Sequence, residues 1–335
     1  MTTTAWAPGR VNLIGDHTDH TGGFVLPMAI DLGTTVVGNV TDDRFVRLSS
    51  DHDPATISLP VPVVDPARFE PVWGRYVAGV AAELELSTGF TGTVTTTLPV
   101  GSGLSSSASL LVATALALGA DPSNHRELAL MCQRAEQRAA GVPCGVMDHL
   151  AVVEGRAGHA LLIDTSSLHV EPVPLPDDVE VVVVHSGEPR RLASSPYAER
   201  RARCEAAQAE LGSLRSASLV DVEQIADPTV RAAARHVVTE NQRVLAAADA
   251  LRDGDVIEVG RLMTASHASL RHDLDVSTPA LDALVHRLVA TRGVYGARLT
   301  GAGFGGCVVA LARPGAVTEG WVVRASGGAG LRRRR

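Results

Sequence analysis

The chain contains no lysine; all 30 of its basic residues are arginines. A Walker A loop needs a lysine after its glycines, and a protein-kinase fold needs one on a strand beside the nucleotide, so neither architecture is open to this sequence. Lysine Schiff-base chemistry is excluded on the same ground. Any phosphate handled here must be neutralised by backbone N–H groups, by arginine or by a metal ion.

The net charge of −7 argues against a nucleic-acid binder, which carries a basic face. The one basic run, residues 331–335 (LRRRR), reads as a solvated terminus. With 335 residues, 45% of them hydrophobic, the chain has room for two domains and a sizeable core. No apolar run reaches the roughly 18 residues of a membrane span. Residues 1–6 hold neither a basic nor an apolar leader, so a cytoplasmic protein is expected. Cys132, Cys144, Cys204 and Cys307 form no C-x-x-C pair and complete no zinc pattern, so free thiols are expected.

Periodicity predicts strands over residues 34–40, 45–49, 92–98, 160–164 and 180–185, with helices over 75–86, 105–118 and 126–140. From residue 195 the texture becomes helical, over 197–211, 229–252, 256–270 and 281–288. A closing strand pair, 296–299 and 307–312, flanks a glycine-rich turn. The change of texture places a domain boundary near residue 180, giving units 1–180 and 181–335.

Four segments concentrate polar chemistry. Residues 99–109 (PVGSGLSSSAS) sit between a strand and a helix. Gly101 and Gly103 let the backbone approach a ligand, and the serines stand where a helix N-terminus offers free N–H groups and a positive dipole end. That is an anion site needing no lysine; the same residues would also serve as a plain serine cap. Residues 300–306 (TGAGFGG) formally match G-x-G-x-x-G, but a strand-like run, CVVALA, follows where a dinucleotide site needs a helix. The dinucleotide reading is therefore rejected, leaving a tight hairpin or a backbone packed close to something. Residues 9–23 (GRVNLIGDHTDHTGG) read as a glycine-bounded loop carrying Arg10, Asp16, His17, Asp19 and His20. A carbohydrate suits this set better than a metal held by His17, Asp19 and His20, for which no fourth ligand follows. Lastly, Glu136 precedes residues 141–149 (GVPCGVMDH), where Asp148 is either a structural cap or a functional carboxylate.

Taken together, the segments resemble the galactokinase branch of the GHMP kinase superfamily. The likeness is carried by residues 9–30, 99–109 and 299–308, with more in 141–168, 192–205 and 235–243, and the motifs come in the family's order. The resemblance implies an α+β, two-domain GHMP kinase fold: an N-terminal ribosomal-S5-like α/β domain, a C-terminal ferredoxin-like α+β domain, and an active site between them. It implies Asp148 as catalytic carboxylate, with Arg10 beside it to lower its pKa and stabilise transferred charge. Gly101, Ser102, Gly103, Leu104, Ser105, Ser106 and Ser107 match the ATP phosphate loop. Ser107 and Glu136 match magnesium ligands. Asp16, His17, Thr18, Asp19 and Tyr197 match sugar contacts, as does Gly145 through its backbone. The expected activity is ATP-dependent, Mg²⁺-assisted phosphorylation of the anomeric hydroxyl of galactose, by a monomer. The alternatives are a different or modified sugar, or a sugar sensor without catalysis, against which Arg10, Asp148, Ser107 and Glu136 all stand. Four departures touch the sugar pocket rather than the transfer chemistry: Asp16 for the family's glutamate, His20 and Leu274 for tyrosines, and His149 for glutamine.

Overall fold

A computed structural model describes residues 2–99, 101–141, 144–188 and 194–332, with the side chains of 194 and 195 not described. Val100, Val142, Pro143, Leu192, Ala193 and the arginines 333–335, which belong to segments singled out above, lie outside the described residues. Among the described residues two sheets form. The first contains β1 (Thr3–Ile14), β2 (Phe24–Thr41), β3 (Phe45–Ser50), β4 (Ile57–Pro60), β5 (Gly89–Thr96), β6 (His159–Asp164) and β7 (His169–Pro174). The second contains β8 (Glu180–His185), β9 (Val294–Thr300), β10 (Cys307–Ala312) and β11 (Trp321–Val323). A last strand, β12 (Gly330–Leu331), runs back to pair with β1, so the first sheet is ordered β12-β1-β2-β5-β3-β4 with β6 and β7 extending from β2. The second sheet is ordered β11-β8-β10-β9. Every pairing is antiparallel except β3 with β5.

Helices α1 (Val72–Glu83), α2 (Ser106–Ala117), α3 (His125–Ala140) and α4 (Met147–Glu154) accompany the first sheet. Helices α5 (Ser194–Leu211), α6 (Leu219–Val222), α7 (Pro228–Arg252), α8 (Val256–His272) and α9 (Pro279–Val289) follow β8 in the chain. Their starts are chemically marked: Asp227 caps α7 by accepting from Thr229 and Val230 N–H, with Pro228 at the first helical position. No helix among the described residues is long and apolar enough to cross a membrane.

The valine runs of β8 and β10 are buried on both faces, and their period of two divides them between two cores. Val182, Val184, Val308 and Ala310 face a core shared with α7 and α9. Val181, Val183, Val309 and Leu311 face the other way, into a core shared with Val11, Leu13, Leu26 and Met28 of the first sheet. That second core welds the two sheets together. A third lies between the first sheet and α1 to α4.

One expectation is corrected. Residues 9–23 are not a single loop: 9–14 belong to β1, and only 15–23 form turns and a 3₁₀ segment. The reason is burial. Val11, Leu13 and Ile14 are wholly or almost wholly buried, and Arg10 pairs with Ala29 across the ladder. The charged residues drew attention away from the apolar side chains between them. Strands β1, β4, β7, β11 and β12 and helices α4 and α6 had no counterpart in the sequence reading.

Candidate active site

Strand β1 is irregular where it passes the glycine–serine loop, with register shifts between Pro8 and Arg10 and between Asn12 and Ile14. Gly9 has no room for a side chain, since a Cβ there would stand 2.5 Å from Leu98 and 2.6 Å from the Leu104 carbonyl. The close approach lets the Arg10 N–H donate to that carbonyl at 3.2 Å. The Arg10 guanidinium then bridges three elements. Its Nε and Nη2 donate to the two oxygens of Asp148 at 2.8 and 2.7 Å, and its Nη1 donates to the Gly103 carbonyl at 2.6 Å. This two-pronged geometry is what arginine supplies and a point charge cannot.

Asp148 stands in the first turn of α4 and also accepts from the Ser105 hydroxyl. Burial pushes its carboxyl up, but the Arg10 charge, the Ser105 and Arg10 hydrogen bonds and His149 outweigh that, leaving it below the ordinary carboxylate value. Arg10 is 4% exposed and Asp148 28%, so the acid is the more open of the two to a ligand. Ser105 has a φ of 57°, a left-handed conformation costly for a non-glycine residue, immediately before α2 begins at Ser106.

Two cavities meet at this point. The smaller, about 220 Å³, is lined by Arg10, Asp16, His17, Asp19, Glu136, Cys144, Gly145, Met147 and Tyr197, with Gly301 and Ala302 of the β9–β10 turn. The larger, about 450 Å³, is lined by Gly101, Gly103, Ser105, Ser106 and, further out, Trp73, His52 and Asp53. Tyr76, Ser107 and Asp148 line both.

The smaller cavity has a constrained acidic wall. Burial, with the charges of Asp148 and Asp16, raises the Asp19 carboxyl to about 6. Asp19 lies so close to Gly145 that a Cβ there would fall 1.6 Å from Oδ2. His17, at a φ of 64°, faces the Ala302 carbonyl at 3.3 Å through Nε2 and sits 5.7 Å from the Tyr197 ring. Burial lowers His17 to about 3 and His20 to about 4, so both are neutral near pH 7. Glu136 is contacted by the buried His149, whose Nε2 lies 2.9 Å from Oε2.

Not every residue singled out in the sequence reaches a cavity. The Thr18 hydroxyl donates to the Gly15 and Phe24 carbonyls at 3.0 and 2.7 Å and ties the turn to β2. The Ser102 hydroxyl donates to the Pro99 carbonyl at 2.6 Å. The Leu104 side chain is buried in the core joining the sheets. His20 packs edge-on to His17 at 6.1 Å. Conversely, Tyr76, Cys144, Met147, Trp73 and Ala302 line the cavities without having been selected. On sequence alone, Tyr76 falls in the helix read over 75–86 and Trp73 just ahead of it, with nothing to mark either as ligand-facing.

Comparison with known proteins places this geometry. Residues 2–40 match the galactokinase galactose-binding signature, residues 75–156 the GHMP kinases N-terminal domain, and residues 247–321 the GHMP kinases C-terminal domain. The galactokinase of Chloroflexus aggregans is 45% identical over 95% of this chain and 86% of its own length. The human galactokinase is 45% identical over 91% and 82%. Among solved structures, Lactococcus lactis galactokinase complexed with galactose superposes with a TM-score of 0.91, at 31% identity, over 98% of this chain and 95% of that one. The two-domain α+β GHMP kinase fold is therefore the fold of this protein, and the chain belongs to the galactokinase family.

Proposed function

We propose that this chain transfers the γ-phosphoryl group of ATP to the anomeric hydroxyl of galactose. The observation that carries the reading is the meeting of the two cavities at an arginine-paired carboxylate, under a glycine–serine turn that opens a helix. We assign the sugar to the smaller cavity and the nucleotide to the larger, on lining chemistry and relative size. Residues 101–107 offer the backbone N–H groups at the start of α2 to the triphosphate, in place of a lysine. Asp16, His17, Asp19 and Tyr197 offer acceptors and an apolar face to the sugar, with Gly145 leaving the space that Asp19 fills.

In the transfer, the anomeric oxygen forms a bond to the γ-phosphorus as the bond to the β–γ bridging oxygen breaks and ADP leaves. The hydroxyl proton passes to Asp148. A carboxylate held below its ordinary pKa is a weak base, so it orients the hydroxyl first and takes the proton late, as the oxygen gives up its electrons to phosphorus. Arg10 keeps the acid ionised and holds it against the Gly103 carbonyl of the phosphate turn.

Ser107 lines both cavities and Glu136 the smaller one, and their hydroxyl and carboxylate oxygens are a donor set that would fit a hard divalent ion such as Mg²⁺. When bound, such an ion would neutralise charge on the transferred phosphate. His149, wholly buried, stands beside Glu136 with its Nε2 2.9 Å from Oε2 and backs the carboxylate against the cavity. We further propose the division into units 1–180 and 181–335, in line with β8 opening the second sheet at Glu180, and a monomeric, cytoplasmic enzyme, in line with four free thiols.

The test is incubation with ATP and a panel of aldoses, with phosphorus and proton NMR of the product. Galactose 1-phosphate is the expected product. Turnover of another aldose with none of galactose would replace the substrate, and phosphate at another carbon would remove the anomeric reading.

Two further outcomes are expected. Gly145→Ala places a methyl where the Asp19 carboxylate stands. Galactose KM should rise about tenfold or more, equivalent to about 1.4 kcal/mol of lost binding, with ATP KM unchanged. Steady-state kinetics decide it.

The second concerns pH. Asp19 has its folded-state value raised from 3.8 to about 6. Its protonated form therefore favours the fold below 3.8, and that contribution, about 3 kcal/mol at most, is lost as pH rises through about 6. Sugar binding runs the other way, because an ionised acceptor is needed. For galactose, kcat/KM should fall below about pH 6, and Asp19→Asn should remove that inflection along with most of the affinity. His17 and His20 titrate too low to account for it.

A further inference from the structure

We propose that Arg298 is a positioning residue for sugar recognition, acting from the second sheet to fix the orientation of the Asp16 carboxylate so that one defined oxygen edge meets one hydroxyl of the sugar. The inference rests on the galactose reading above and deepens it.

Arg298 lies on β9 between Ala297 and Leu299, which face the helical core of the second sheet. By the alternation of a strand its own side chain points the other way, toward the first sheet. It is fully buried, where packing alone would favour an aliphatic residue. Its Nη1 donates to the Asn12 and Leu13 carbonyls at 3.3 Å each, and its Nη2 donates to Asp16 Oδ2. Asn12 Nδ2 donates to the other oxygen, Oδ1, at 3.0 Å. Each Asp16 oxygen thus has a fixed donor, and the carboxylate, 2% exposed, still lines the smaller cavity. It cannot rotate to follow a different sugar hydroxyl without breaking one of these bonds.

The surroundings repeat the arrangement. His236 Nε2 donates to the Asp16 carbonyl at 3.1 Å, Glu240 accepts from the Gly15 N–H at 3.0 Å, and the Thr300 hydroxyl donates to the Asn12 carbonyl at 3.1 Å. The sugar-facing turn belongs to the first sheet, but Arg298, His236, Glu240 and Thr300, which hold it, belong to α7 and β9. Sugar selectivity therefore depends on residues that do not touch the sugar as well as on those that do.

The test is a cycle between Arg298→Lys and the 2-, 3-, 4- and 6-deoxygalactoses. Lysine keeps the charge but lacks the planar fork by which two separate nitrogens reach the carbonyls and the carboxylate. For galactose, KM should rise about tenfold, with kcat and ATP KM within about threefold of the parent. For one deoxygalactose, the one lacking the hydroxyl that Asp16 accepts from, parent and variant should agree within about twofold, because a lost partner cannot be mispositioned. The other three should keep the difference. Equal losses across all four sugars, or a matching rise in ATP KM with a fall in kcat, would reduce Arg298 to a structural residue and overturn the proposal. Should Arg298→Lys fail to fold, Asn12→Ser removes the amide donor on Oδ1 and is carried through the same cycle, with the same outcomes deciding. A parent protein that does not phosphorylate galactose would overturn the galactose reading and this inference together. A parent that does, with a uniform loss in the variant, would overturn this inference alone.

Discussion

Asp148→Asn should lower kcat for galactose by a factor on the order of 10²–10⁴, the range over which a positioned general base contributes, while ATP still binds. The amide keeps the shape of the side chain. It loses the charge that takes the anomeric proton and one of the two acceptors for the Arg10 prongs at 2.8 and 2.7 Å. The nucleotide cavity loses a negative charge near the triphosphate, so ATP affinity should hold or tighten slightly. Calorimetric titration with ATP, together with single-turnover rates, separates the two effects. Because Arg10 is 4% exposed, the variant also leaves a buried cation without its counter-charge. A lower thermal midpoint is expected, and the kinetics should be measured well below it. Turnover like that of the parent would remove Asp148 from the mechanism.

Arg10→Met should lower kcat/KM by about 10²–10³, comparable to the loss of one preorganised donor at a site of developing charge. Methionine fills much of the volume but releases Asp148 and the Gly103 carbonyl together. It also changes the acid. Burial is the largest influence on the Asp148 carboxyl and acts upward; Arg10 is the first of the groups that outweigh it. Without Arg10 the carboxyl should rise, because burial is then opposed only by Ser105 and His149. At a given pH a smaller fraction is then ionised, so the acid limb of the pH–rate profile should move to higher pH and activity should partly recover there. Arg10→Lys should restore some of the charge effect but not the two-pronged alignment. A simple loss of folded protein would lower the rate equally at every pH and leave the limb in place.

The sequence was most informative where the signal is local. The valine runs of β8 and β10, the helical run of α7 and the glycine–serine turn before α2 were each legible, because a strand, a helix and a turn are specified by residues within a few positions of one another. The hairpin of residues 300–306 was legible for the same reason: the strand-like CVVALA behind it rules out the helix a dinucleotide site requires. Strand β1 was lost because its charged and polar residues, Arg10 and Asn12, are as buried as its apolar ones. Burial of a charge depends on a partner, and the partners lie far along the chain.

The absence of lysine fixed that phosphate must be met by backbone, arginine or metal. The order of motifs fixed the family. What the tertiary structure alone decided is which groups face one another: Arg10 with Asp148 across 138 positions, and Asp16 with Arg298 across 282. Periodicity records which side of an element avoids water, and packing determines what waits on that side. Ion pairs are selected by that second choice, which no short window of sequence contains.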